Sequence, residues 1–518
     1  MSTAAIDGTA TTDSPRRAPT GWPGLVMTLR RHAAFGAVLT LAVGLRCLLY
    51  LAYRPALRYS DSGMYMRGAA MDRPLVDRPY GYSAFLKLLL PLQSVDVVTV
   101  LQHLMGLGLV VAGYAFLIRR GVRRWLAALA VTPVALDARQ LVLEHFILAE
   151  ALFTALLAAA ILLLARRNPP GPLVAATAGL LVATAALTRS VGLPIAGLIV
   201  CYLLVRRVRW HSLAAFAVAL VVPLGGYLVW YHSAHGVYAF GQYDGRFLFA
   251  RTATFADCDV LELSDRLREL CPEQPVGQRP QRNDEYVWTD ITIAHRKYRD
   301  VQHDPLLREF AVEAITQQPG DYAAMLLRET GWHFIPGLVE FDDGQRCLAR
   351  AWQLPVRDAD TCQTSIYVRD RLGGPAVNYA QIERLRPALK AYSQQGKIPG
   401  PLLLLGVLAA LAAAVCRPGR PGWADGRDAT LIAGVGLALV VISVATSMHD
   451  PRYVVPGLFF MGIGAALGVH RLTSVWGPPA EAAPVRLQVD PPTFRVPSPR
   501  RPADDNETAD TPALRQPS

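Results

Sequence analysis

The chain has 518 residues, of which 52% are hydrophobic and only 18% charged, whereas a soluble chain of this length carries about 25% charged residues. Its net charge of +11 raises nucleic acid as a partner. The basic residues, however, stand in short clusters at the ends of apolar blocks, which is cytoplasmic anchoring, so nucleic acid is excluded. The apolar blocks match the roughly 20 residues an α-helix needs to cross a bilayer, and the fold expected is an all-α polytopic membrane protein of about ten transmembrane helices.

Residues 1–33 are polar and rich in Ala, Thr and Pro. They are read as a disordered cytoplasmic N-terminus with no cleavable signal peptide, followed by an apolar block that acts as a signal anchor. Spans are expected near 34–53, 97–118, 125–143, 146–165, 171–187, 191–206, 211–231, 400–416, 429–447 and 453–471, with Pro133 and Pro194 interrupting two of them. Arg30-Arg31, Arg119-Arg120, Arg123-Arg124, Arg166-Arg167, Arg206-Arg207 and Arg417-Arg420 fall on one side, against single arginines in the opposite short turns. The positive-inside rule then puts both termini in the cytoplasm, which an even number of spans satisfies.

Transmembrane helices one to seven occupy 34–231 and enclose a first outer loop, 54–96. A second outer segment, 232–399, is long enough for an extracytoplasmic domain of mixed or helical structure. Within it 304–318 and 320–335 have amphipathic helical spacing. The last three helices occupy 400–471, and the Pro-rich tail 472–518 is read as disordered. Cys258, Cys271, Cys347 and Cys362 all fall in the outer segment. An even number on the oxidising side predicts two disulfides. Three pairings are open; the local one, Cys258 with Cys271 and Cys347 with Cys362, is simplest.

Four places carry polar chemistry at the outer surface. The first loop reads Tyr59-Ser60-Asp61-Ser62-Gly63-Met64-Tyr65 and then Asp77-Arg78-Pro79-Tyr80-Gly81-Tyr82. Asp61 can accept a proton from a hydroxyl. Tyr65, Tyr80 and Tyr82 can stack on a sugar, with Arg78 beside them. Glu144 and Glu150 flank the outer end of span four, where a carboxylate must face protein, water or a ligand. Their spacing puts them on different helical faces. Glu150 is the one expected to face a cavity, and Glu144 is assigned to substrate. Arg189 and Arg452 occupy two short outer turns, and His449 stands near the second. A guanidinium grips phosphate in a fork and stays charged. Arg46 in span one and Lys87 before span two are further candidates.

Taken together, these features resemble the GT-C superfamily, which includes protein O-mannosyltransferases and the aminoarabinose transferases of lipid A. "SDSGMY…DRPYGYSAFL" looks like its acidic loop motif, and "LAEALFTALLAAAILLLAR" like its span with a glutamate before Leu-Phe. "LTRSVGLPI" and "DPRYVVPGLFF" are similar to its two basic turns. The landmarks stand in family order over residues 55–470. The resemblance implies a polyprenyl-phosphate-linked sugar as donor, membrane lipids around it and an envelope glycan, lipid or protein as acceptor. It also implies inverting transfer and a site between the first outer loop and the plasma membrane. By position Asp61 matches the loop acid, Glu150 the span-four acid, and Arg189 and Arg452 the basic turns. Ser62 stands where several members have a second acid, which leaves a divalent metal open, and Arg78 replaces a histidine often found there. The runner-up class is a transporter or lipid flippase, which calls for charged residues at membrane depth.

Overall fold

The computed structural model describes residues 30–279, 285–288, 292–335, 352–356, 365–367, 380–415 and 423–476. The protein is a helical polytopic membrane protein. Its first helix, α1 (Ala33–Tyr53), leads to a short strand β1 (Ala56–Arg58) and then to α2 (Ser60–Ala70) and α3 (Gly81–Leu89), so the first outer loop is largely helical. The chain returns through α4 (Val95–Arg119), α5 (Arg124–Leu136), α6 (Ala138–His145) and α7 (Glu150–Leu164). Helices α8 (Pro172–Thr188), α9 (Gly192–Val205) and α10 (Trp210–His235) follow. The outer segment contributes α11 (Asp244–Ala253), α12 (Asp304–Gln317), α13 (Pro319–Gly331) and α14 (Arg386–Gln395). The remaining apolar helices are α15 (Gly400–Val415), α16 (Trp423–Thr446) and α17 (Val455–Trp476).

The expected spans overlap helices, the third of them covering α5, the break after it and most of α6. Among the described residues five helices are long and apolar enough to cross a bilayer alone, or seven if each bent pair is one span, and α7, α8 and α9 are shorter apolar helices. One bent pair is α5 with α6, which meet at 46°. Pro133 lies within α5, and the break comes four residues later, where Asp137 accepts the amide of Arg139 and caps α6. Pro194, expected to interrupt a span, sits in the first turn of α9, where its missing N–H has no partner to lose. Leu402, Leu405, Leu408 and Leu411 repeat every third residue on α15 and are all exposed, an apolar face suited to lipid.

Two close approaches set the outer end. A Cβ on Gly81 would stand 2.6 Å from the Leu187 carbonyl oxygen. Glycine there lets the start of α3 rest on the end of α8, beside Arg189. A Cβ on Gly192 would stand 2.6 Å from the Ala186 Cα, which permits the tight turn between α8 and α9. Strand β1 pairs antiparallel with β2 (Ser365–Tyr367), Leu57 opposite Ile366.

The outer segment has its own small core around Phe249, Leu270, Tyr286, Leu307 and Phe310. Cys258 and Cys271 are bonded at its edge, as the local pairing requires. Cys347 and Cys362 lie outside the described residues. In intact cells a membrane-impermeant thiol reagent should label Cys258 and Cys271 only after reduction; labelling of either without reductant would remove the bond.

Candidate functional site

Six of the residues singled out in the sequence line one cavity of about 1640 Å³: Asp61, Tyr65, Arg78, Glu150, Arg189 and Arg452. Four of them, Asp61, Glu150, Arg189 and Arg452, are aimed by short local devices. Asp61 lies in the first turn of α2, where the unpaired amides favour an acid. Ser62 is fully buried, and its hydroxyl accepts the Tyr59 amide at 3.0 Å, closing the start of the helix. Glu150 opens α7 in the same way. Arg189 follows the last turn of α8, its amide donating to Ala185 at 2.9 Å. Arg452 sits in a 3-10 turn capped by Asp450, whose carboxylate accepts the Arg452 amide at 2.9 Å.

The charges interlock. Arg452 Nη1 donates to Asp61 at 3.0 Å and stands 4.0 Å from Glu150, while its Nε lies 3.1 Å from Asp450. Arg189 pairs with Glu150. Arg78 bonds Asp61 at 3.2 Å and Asp77 at 2.7 Å. Aromatic rings flank the cations: Arg452 lies 5.3 Å from the centre of Tyr59, 5.2 Å from Trp352 and 5.4 Å from Tyr453, and Arg78 lies 4.9 Å from Tyr65. Rings of this kind keep water away while still favouring a cation. Burial opposes the charge on Asp61, but the Arg78 and Arg452 guanidiniums outweigh it and hold the carboxyl down at about 2. At Asp450 burial prevails over Arg452 and pushes the carboxyl above its ordinary range.

The remaining cavity wall has two characters. Val191, Leu193 and Pro194 at the start of α9 and Ile442 of α16 supply apolar surface, whereas Arg73, Arg299 and Arg308 are exposed arginines from the first loop and the outer segment. Such a space can take an apolar chain, an anion beside Arg189 and Arg452, and a polar second molecule. Among the described residues no three His, Cys, Asp or Glu side chains are grouped to hold a metal ion. Asp61 and Glu150 both face guanidiniums, so this donor set does not fit a cation.

Four expected site residues and the further candidate Lys87 stand elsewhere. Glu144, assigned to substrate, is buried and takes a two-pronged bond from Arg46, 2.7 Å on each oxygen, with His103 at 2.9 Å and Gln140 at 2.9 Å. It is the counter-ion of a cation inside the bilayer. Tyr82 is fully buried and donates to Gln102 at 2.8 Å. Tyr80 donates to the Met71 carbonyl at 2.9 Å and packs on Trp230. His449 packs between Trp332 and His333, turned from the phosphate position assigned to it. Lys87 pairs with Asp72 at the surface. Removing one partner of a buried ion pair costs about 3–5 kcal/mol. Glu144→Ala should therefore lower the melting temperature of the solubilised protein. An unchanged melting temperature with impaired activity would return Glu144 to the substrate.

Sequence reasoning missed Asp450 and Trp352. Asp450 was visible as the acid preceding Pro451, the signature of a capped turn. Trp352 had no local signal, because its place beside Arg452 is set by the path of the outer segment.

No protein-family model matches the chain, and no curated protein matches it. Two solved structures are similar to it. The protein O-mannosyltransferase Pmt1-Pmt2 complex of S. cerevisiae, bound to the sugar donor, shares 16% identity over 49% of this chain and 38% of that chain, with a TM-score of 0.31. ArnT from Cupriavidus metallidurans, in the apo state, shares 14% identity over 85% of this chain and 78% of that chain, with a TM-score of 0.33. The chain thus spans well under half the length of the yeast chain.

Proposed function

We propose that the chain is an inverting membrane glycosyltransferase of the GT-C kind. It moves a sugar from a polyprenyl-phosphate donor to a hydroxyl of an envelope glycan, lipid or protein, on the outer face of the plasma membrane, with both termini in the cytoplasm. The observation that carries this reading is the meeting of Asp61, Glu150, Arg189 and Arg452 in one cavity with both an apolar and a basic wall. The donor phosphate binds between Arg189 and Arg452, and its prenyl chain follows Val191, Leu193 and Ile442. Arg452 turns from Asp61 to the phosphate, and Asp61, left with Arg78, becomes a stronger base. The acceptor oxygen attacks the anomeric carbon as the carbon–phosphate oxygen bond breaks. The electron pair leaves on the phosphate, which the arginines stabilise, and the acceptor proton passes to Asp61. A single displacement inverts the anomeric centre.

A transporter or flippase would place charged groups at membrane depth, and the Arg46–Glu144–His103 group has that placement. It lines no part of the cavity, however, and it is buried against protein, so transfer remains the better reading. The test is transfer by the purified protein in liposomes containing polyprenyl-phosphate sugars, paired with mass spectrometry of envelope glycans in a deletion strain. No transfer from any such donor, together with an unchanged envelope, would overturn it. Reporter fusions at residue 122 and in the tail should read cytoplasmic, and one near residue 280 external; a cytoplasmic reading at 280 would put the cavity on the wrong side.

A further inference from the structure

Between Asp96 in its first turn and Arg119 at its end, helix α4 is mainly apolar and carries a short polar stripe. Thr99, Gln102 and His103 are buried, and their spacing of three and four residues puts them on one helical face. The Thr99 hydroxyl donates to the Pro55 carbonyl at 2.8 Å. The Gln102 amide donates to the carbonyls of Glu144 at 2.9 Å and Phe146 at 2.7 Å, and its oxygen accepts the Tyr82 hydroxyl at 2.8 Å. His103 meets the Glu144 carboxylate at 2.9 Å. The carbonyls at the end of α6 have no partner within their helix, and within a bilayer no water replaces one.

These contacts converge on the two segments that carry the site acids. Pro55 leads through β1 to Asp61, and Phe146 leads through the break to Glu150. The segments are tied to each other where the Ile147 amide donates to the Leu57 carbonyl at 3.2 Å. Tyr82 extends the connection: its ring packs edge-on against Tyr65 at 4.8 Å, Arg78 lies over Tyr65, and Arg78 bonds Asp61. None of the three stripe residues lines the cavity.

We infer that this stripe, with Gln102 at its centre, positions Asp61 and Glu150 relative to each other, so that Gln102 is a positioning residue of the site. For its kinetic consequence the inference rests on the transfer reading above. Gln102→Met keeps length and removes both the donors and the acceptor. In full-length protein in nanodiscs, amide hydrogen exchange should quicken in residues 144–149 and 55–61 while the rest of α4 and α17 keep parental protection. With a polyprenyl-phosphate sugar, kcat should fall by about 100-fold, the scale set by misplacing reacting groups by an ångström, while the donor KM stays near parental. Gln102→Glu sets a carboxylate against the two carbonyls and should retain no more kcat than Gln102→Met. Parental exchange in both segments overturns the inference, and so does faster exchange spread evenly over the chain, which marks a general packing role. An unchanged kcat beside local loosening also overturns it. If the parent transfers no sugar, the transfer reading falls and the exchange pattern alone decides the positioning. If Gln102→Met does not fold, Thr99→Val applies the same test: exchange should quicken in 55–61, and parental exchange there overturns the inference.

Discussion

Asp61→Asn should reduce transfer by about two to four orders of magnitude, the range expected when a positioned base is removed, and the loss should fall on kcat. Asparagine keeps the size and one acceptor oxygen but cannot take the acceptor proton. The side chain is 26% exposed at the edge of the cavity, so little of the core depends on it. On the proposed reading Asp61 competes with a donor phosphate for Arg452, since its carboxylate lies 3.0 Å from Nη1. Asparagine weakens that competition. The donor KM should therefore stay level or fall while kcat drops, a pattern that separates a lost base from a lost binding contact. Measured at equal protein level in liposomes, parental kcat in Asp61→Asn would remove Asp61 from the chemistry. Asp77, the neighbouring acid on Arg78, would then be examined first.

The second large effect belongs to Arg452. Arg452→Ala should lower kcat/KM by about 100- to 1000-fold, the scale of removing one donor from a developing oxyanion. It should impair donor binding as well, because the charge meets the phosphate before and during the reaction. Arg452→Lys should recover only part. The guanidinium presents Nη1 to Asp61 and Nε to Asp450 at once, within reach of three aromatic rings, and an ammonium is a point charge that cannot reproduce that fork. Full recovery by lysine would show that charge alone is needed there. Recovery of KM without kcat would place the fork in the departure of the phosphate.

The apolar blocks were legible because a bilayer fixes the length of a span, and among the described residues five helices, or seven with the bent pairs, are long and apolar enough to cross one. The convergence of Asp61, Arg189 and Arg452 was foreshadowed by residue type: fixed charges at the membrane surface need partners, and one membrane face brings distant turns together. Glu144 stands away from the cavity for a physical reason. Its spacing from Glu150 was read as two faces of one helix end, but the chain breaks between α6 and α7, and Glu144 turns inward to Arg46. Arg46 was a visible signal, since a cation within a span calls for an acid at the same depth. The partner could not be chosen from sequence without the packing of α1 on α5 and α6. Gln102 and His103 were visible as polar residues in an apolar span, yet the targets of Gln102 are backbone carbonyls at a helix break that hydropathy does not register, and His103 meets the Glu144 carboxylate.

The pairing of Asp61 with Arg452 bears on how the enzyme would clear itself between turnovers. A sugar phosphodiester carries one negative charge, whereas the prenyl phosphate left behind carries about 1.5 to 2 at neutral pH. Two arginines that hold the donor would hold the product more tightly still, and turnover would stall on release. Asp61 is an internal anion whose carboxyl Arg78 and Arg452 hold down at about 2. Once it gives up the acceptor proton to solvent, it is ready to reclaim Arg452. The same carboxylate that receives the proton would then evict the spent lipid, returning the site to the ion-paired state seen here.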